Sequence, residues 1–345
     1  MWFYRYVRKI TFIFTGIFCA LALFAAIVYL VYVRGFGVFP KLSRASVRIG
    51  KKIYVAHWEV KKSMPTARTE VAAAAVNGKV VVVGGIDGFG RTLATVESYD
   101  PLQDKWTKLP DLPEPRHHTA AVNYGGTLYV IGGMSGLSFT PHADMFTYVD
   151  GASAWEKKAS LLSPRGAFAA APGEGKIYAV GGVGPRGLTD ELEIYYPADD
   201  QWETKAPALT KREHLAAGAI DDKLYVAGGR FGSMTKNLAL LEIYDSMKDM
   251  WTLGTPLPVA RGGLGGSVVE NFFLVVGGEQ PLGTFADVDM YDPKGKRWVT
   301  LPGLPTPRHG LGVVSFGSTV FAIGGGARPG LSVTGANEAL YITSQ

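Results

Sequence analysis

Cysteine is almost missing from this chain: Cys19 stands alone among 345 residues. No disulfide can form within it, and a cysteine-rich zinc site is excluded. Acidic residues are absent from the first 52 positions, which carry nine Lys/Arg; the other 293 residues hold 26 bases and 30 acids, a balance of −4 inside a chain of net charge +5. The basic excess therefore belongs to the N-terminal segment, and the body lacks the footprint that nucleic acid requires. Charged residues make up only 19% against 47% hydrophobic, which excludes a disordered chain.

One long apolar run is present. Ile10 to Val33 is 24 residues without a charge, about 36 Å as a helix against a hydrocarbon core of about 30 Å. Tyr4, Tyr6, Tyr29 and Tyr32, with Arg8, Lys9 and Arg34, supply interfacial anchors. The reading is a basic flank over 1–9, a transmembrane signal anchor over 10–33, a basic linker over 34–52 and a globular domain over 53–345. A cleaved signal peptide is the competing reading, because Ala20-Leu21-Ala22 suits a peptidase. The run continues eleven residues beyond it, so cleavage would leave a strongly apolar terminus in water. Orientation is contested: six Lys/Arg follow the span within about 20 residues and three precede it, which favours a cytoplasmic domain, yet no cysteine follows Lys52, which suits an oxidising compartment. The expectation is an extracytoplasmic domain, periplasmic or extracellular.

Beyond Lys52 one pattern recurs. Glycine pairs begin at Gly84, Gly132, Gly181, Gly228, Gly277 and Gly324, with an arginine sixteen positions earlier each time (Arg68, Arg116, Arg165, Arg212, Arg261, Arg308). Ten positions before each arginine stands a tryptophan (Trp58, Trp106, Trp155, Trp202, Trp251, Trp298). A tyrosine follows each glycine pair (Tyr99, Tyr148, Tyr195, Tyr244, Tyr291, Tyr341), and the glycine-to-tyrosine interval alone varies, from 14 to 17. Each unit reads as four strands: a small-residue strand a after the arginine, an apolar strand b ending in Gly-Gly, an alternating strand c with the tyrosine, and a strand d with the tryptophan. Four-stranded units of this period form a propeller.

Gly-Gly, Tyr and Trp in register over roughly 290 residues resemble the kelch family, and six repeats imply an all-β, six-bladed propeller. Trp58 has no glycine pair before it, and the last repeat has no tryptophan. The strand around Ile53–Val60 is therefore expected to complete the sixth blade and close the ring. A monomeric propeller is expected.

Residues repeated six times are expected to be scaffold. The glycines serve close approach, the aromatic rings packing. The arginines are expected to pair with the acids two before the tyrosine (Glu97, Glu193, Glu242, Asp289). Function is sought where symmetry breaks, at the mouth framed by the arginine-flanking residues and the loops after Gly-Gly. The candidate ligand-binding residues are Glu70, His117, His118, His214, His309, Arg91, Arg186, Arg230 and Arg328; Asp87, His142, Lys236 and Glu279 add to a mixed-charge rim. By the family resemblance, the residue two after the arginine contacts peptide ligands, which singles out Glu70, His118 and His214. No metal site and no cofactor are expected, since neighbours such as His117 and His118 on a strand would point to opposite faces.

Two enzyme classes share this scaffold. Copper radical oxidases of the galactose oxidase type need a cysteine in the propeller, which this chain lacks. Bacterial sialic acid mutarotases are weaker kin: they place an arginine six residues after a Gly-Glu, whereas Gly278-Glu279 is followed there by Phe285. The expectation is a membrane-anchored binding module for a protein, peptide or glycan, without chemistry of its own. The alternative is a sugar mutarotase or epimerase using Glu279 or Glu213 as acid/base.

Overall fold

The computed structural model describes residues 44–50 and 52–344. The expected span at 10–33 lies outside them. Among the described residues no helix is long and apolar enough to cross a membrane; a three-residue 3-10 turn, Met234–Lys236, is the one helical element.

Six antiparallel sheets of four or five strands succeed one another along the described residues, beside three two-stranded ribbons in the loops. In blade 1 the strands are Ala72–Val76, Lys79–Val83, Val96–Asp100 and Lys105–Lys108, paired in that order. Blades 2 to 5 repeat this pattern, with strands a starting at Ala120, Ala169, Ala216 and Gly265. Strand b is buried along its last four residues in every blade, which explains its unbroken apolar character. Six hydrophobic clusters hold the molecule together, one between each pair of neighbouring blades, including the last and the first.

Closure is direct. Lys52–Lys61 pairs with Asn337–Ser344, Trp58 opposite Leu340, and supplies strand d of blade 6. That sheet has a fifth strand, Arg44–Ile49, outside it. This segment was expected to be basic linker; Val47 and Ile49 instead pack against the cluster between blades 5 and 6 while Arg44, Ser46 and Arg48 face out.

The tryptophans stitch blade to blade. Each indole N–H donates to a backbone carbonyl of the preceding blade's outer edge: Trp106 to Lys62, Trp155 to Pro110, Trp202 to Ala159, Trp251 to Ala206, Trp298 to Thr255 and Trp58 to Pro302. Five tyrosines pack beside their tryptophan at centroid distances of 5.1–5.2 Å, the rings tilted by 38–52°. Blade 6 departs from the expected register. Leu340 takes the tyrosine's place opposite Trp58, and Tyr341 falls on the other face, stacked on His57 at 5.3 Å.

All six arginines are buried. Arg68, Arg165, Arg212 and Arg261 pair with Glu97, Glu193, Glu242 and Asp289, as expected, and Arg308 pairs with Glu338. In blade 2 the acid's position is held by Phe146, and Arg116 reaches Glu114 and Asp144 instead. The first glycine of each pair is held close to the next blade. At Gly84, with φ +60°, a Cβ would lie 2.2 Å from the carbonyl oxygen of Arg116, so only glycine fits.

Candidate functional site

The residues two after each arginine form a closed ring around the axis. The N–H of His118 donates to Glu70, Ala167 to His118, His214 to Ala167, Gly263 to His214 and Gly310 to Gly263, all between backbone groups. Val71, next to Glu70, closes the circuit on Gly310 at 3.2 Å. All six ring residues lie at φ between 50 and 70°. Four of them are not glycine. Holding Glu70, Ala167, His118 and His214 in this region costs about 1–3 kcal/mol each, and strain of that kind gathers at functional sites.

Two chambers lie along the axis. One of about 270 Å³ is lined by strand a of all six blades, largely alanine, glycine and valine. The other, about 580 Å³, is the mouth, lined by Glu70, His118, Ala167 and His214 of the ring, by Glu213 and His309, and by the loops after Gly-Gly.

Seven charged or imidazole groups meet at this mouth. Nε2 of His118 lies 3.0 Å from Nε2 of His214 and 3.3 Å from a Glu70 oxygen. Nε2 of His309 lies 3.6 Å from Glu70 and 3.5 Å from Glu279. Nδ1 of His214 is in close contact with Glu213. Arg230 donates from Nε to Glu213 at 2.9 Å and from Nη1 to Glu279 at 2.7 Å, and its Nη2 approaches Nε2 of His214 at 3.1 Å. Burial opposes charge on the Glu213 carboxyl, but the His214 ring and the Arg230 guanidinium outweigh it and hold its pKa down at about 2. Burial, then the neighbouring imidazoles of His214 and His117, push His118 well below the usual histidine range.

Ring glycines make the room. A Cβ on Gly310 would meet the Glu70 carboxylate at 2.5 Å, and one on Gly263 would crowd His309 and Glu279. The walls above are apolar: Met134, Phe139, Leu188, Met234 and Leu331. These went unnoticed in the sequence, where the signal was available as large apolar residues in loops that are otherwise polar.

Of the candidate residues, Glu70, His118, His214, His309, Glu213, Glu279 and Arg230 come together. His117 is buried beside them, its Nδ1 2.6 Å from Nδ1 of His118. The two neighbours do not point to opposite faces, because the positive φ of His118 breaks the strand alternation. Arg91 is outward, paired with Asp87 at 2.7 Å; Arg186 is almost fully exposed, and Arg328 is exposed in the last loop. His142 lies outside the cavity and contacts Ser135 at 2.7 Å. Ligand atoms of Glu70, His118 and His214 all lie within 4.8 Å of one another, as do those of Glu114, His142 and Asp144.

A family model described as the kelch motif matches residues 67–113, 164–208 and 211–258. The Kelch-like protein terF of Aspergillus terreus (strain NIH 2624 / FGSC A1156) is 27% identical over 288 residues, covering 80% of this chain and 54% of that protein. The F-box/kelch-repeat protein At1g16250 of Arabidopsis thaliana is 42% identical over 57 residues, 16% of this chain and 15% of that protein. The chain thus spans about half the length of the first relative and a small part of the second. Among solved structures, one described as "Structure of YjhT" superposes with a TM-score of 0.68 at 17% identity, over 83% of this chain and all of that one. Three of the six repeats thus match the kelch motif, in a chain folded as a six-bladed propeller.

Proposed function

We propose that this chain is a membrane-tethered kelch-repeat binding module whose propeller engages a protein, peptide or glycan at the mouth cavity. One observation carries the reading. The loops after Gly-Gly hold Phe89, Leu137, Phe139, Phe231, Leu282 and Leu331, all exposed, around a floor of carboxylates and imidazoles. Apolar residues standing out on five of six loops at one end suit a partner that covers them. Tethering rests on the apolar run at 10–33.

The test is site-specific photo-crosslinking of the full-length chain in its native membranes. Probes at Phe139 and Leu331 are expected to trap a partner, and a probe at Leu102, exposed in the turn between strands c and d of blade 1, is not. Equal labelling from all three positions overturns the choice of face. Resistance of the chain to alkaline extraction checks the tether, and protease accessibility in intact cells checks the side.

The mutarotase alternative finds less support in the geometry. Glu213 and Glu279 are both tied to Arg230, and Glu213 titrates far below neutrality. Arg230 is already matched by two carboxylates, so an anionic sugar finds no unpaired cation among the described residues of this floor. Faster anomer exchange of a candidate sugar, read by NMR with the wild-type chain and absent with Glu279→Gln, would reverse the order of the two readings.

A further inference from the structure

Glu70, His118 and His214 hold their donor atoms as a metal site would. Hydrogen-bond partners fix which ring nitrogens are bare. Nε2 of His117 faces the Gly136 carbonyl at 3.2 Å and so carries a proton, which leaves its Nδ1 as acceptor for Nδ1–H of His118. Nε2 of His118 is then an open lone pair. Nδ1 of His214 faces the Glu213 carboxylate and donates to it, which leaves Nε2 of His214 without a proton, its lone pair met by Nη2 of Arg230 at 3.1 Å. Both lone pairs converge with a Glu70 oxygen.

The edges of this triangle are 3.0 Å between the two nitrogens and 3.3 and 3.8 Å from them to Glu70. A tetrahedral zinc ion with bonds of roughly 2.0–2.1 Å requires ligand separations of about 3.3 Å. The three side chains are only 6–12% exposed. His214 has the outer partner that metal-binding histidines characteristically have, a carboxylate, and His118 is oriented by a second imidazole, that of His117. Charge points the same way: among the described residues lining the cavity, the carboxylates Glu70, Glu213 and Glu279 stand with one guanidinium, Arg230, which pairs with the last two. The second cluster, Glu114, His142 and Asp144, lacks this feature: Arg116 and Lys157 already neutralise its acids.

We propose that Glu70, His118 and His214 bind a divalent transition-metal ion of the zinc class, with a fourth position open to the mouth cavity for water or ligand. Arg230 competes for the site through its Nη2 on His214 and must release that nitrogen on loading.

The experiment uses the full-length chain stripped with chelator and titrated with zinc alone, followed by calorimetry. One saturable site is expected. Glu70→Gln, His118→Gln and His214→Gln are each expected to weaken it by more than the roughly 10–100-fold that loss of an outer partner costs, while His142→Gln leaves it unchanged. Arg230→Gln is expected to bind no more weakly than wild type, the reverse of what a merely structural role predicts. X-ray absorption at the zinc edge of the loaded wild-type chain decides the matter even where a variant fails to fold: two imidazoles in the coordination sphere support the site. No saturable binding, fewer than two imidazoles, or equal affinity in folded His118→Gln and His214→Gln variants would overturn it.

Discussion

At the scale of single residues, the six arginines and the seven groups at the mouth show the same chemistry put to different ends. An arginine at 0% exposure is tolerated because an acid on strand c and carbonyls of strand b meet it; Arg68, for example, reaches Glu97, Gly84 and Val82. Removing one partner leaves a buried charge uncompensated, which costs about 3–5 kcal/mol. Glu97→Ala is therefore expected to lower stability by that amount in urea denaturation, whereas Arg91→Ala, which removes a side chain 71% exposed from a pair in which only Asp87 is buried, is expected to cost no more than about 1 kcal/mol. A loss below about 1 kcal/mol for Glu97→Ala would assign the arginine's satisfaction to the carbonyls instead. These pairs were legible in the sequence because the acid and the arginine keep a fixed spacing. The contact between His117 and His118 was not, because it depends on a left-handed backbone at His118 that no residue type announces. Gly310 makes a second case. Its φ of +57° and its closeness to the Glu70 carboxylate mean that Gly310→Ala displaces a ligand without removing one, and zinc affinity read by calorimetry is expected to fall at least tenfold, in the range of outer-partner losses.

At the scale of strands and turns, the sequence period located every blade, because burial of strand b on both faces and the Gly-Gly stop leave marks that recur. Two elements escaped it. Ala45, Val47 and Ile49 alternate with Arg44, Ser46 and Arg48 as a half-buried edge strand does, but the density of positive charge pointed to a linker. Tyr341 falls in the expected pattern one position past the structural site, which Leu340 fills; register is set by pairing, and a one-residue slip moves a ring to the opposite face. The turns between strands c and d carry their own lock. Asp104, Asp200 and Asp249 each accept a tyrosine hydroxyl, at 2.6–2.7 Å, and a backbone N–H from the adjoining blade. The Tyr99 hydroxyl foremost lowers the pKa of Asp104, the Ala159 N–H that of Asp200 and the Tyr244 hydroxyl that of Asp249. A carboxyl depressed on folding contributes stability that is present above its unfolded pKa, near 3.8, and is lost as pH falls through the folded value. Urea midpoints of the wild type are thus expected to decline below about pH 4, and the triple variant D104N/D200N/D249N to show a shallower decline. Equal slopes would mean that these turns do not couple to the proton.

At the scale of the whole molecule, the ring has no free end in which disorder can start. Lys52–Lys61 closes blade 6 from the N-terminal side, and the cluster between blades 5 and 6 includes Trp58, Leu340 and Ile342. An open solenoid frays from its terminal repeats, because each repeat contacts only its neighbours; a closed ring makes every blade an interior one. Trp58 sits at the junction, buried, with its indole N–H on the Pro302 carbonyl at 2.8 Å. Trp58→Ala removes that bond and leaves a cavity, a loss of about 3–5 kcal/mol. Because the clasp is part of the circle, this loss is expected to appear in all blades at once, as a single calorimetric transition at lower temperature and as a uniform drop in amide protection across the b strands of blades 1 to 6. The equivalent change at Trp202, in the interior of the sequence with its N–H on Ala159, is expected to act in the same way and to a similar extent. If instead Trp58→Ala exposes blade 6 alone while blades 2 to 4 keep their protection, the terminal strand is a detachable cover over an otherwise autonomous stack. The mouth, whose floor draws Glu70 from blade 1, His118 from blade 2, His214 from blade 4 and His309 from blade 6, would then lose its shape before the fold does.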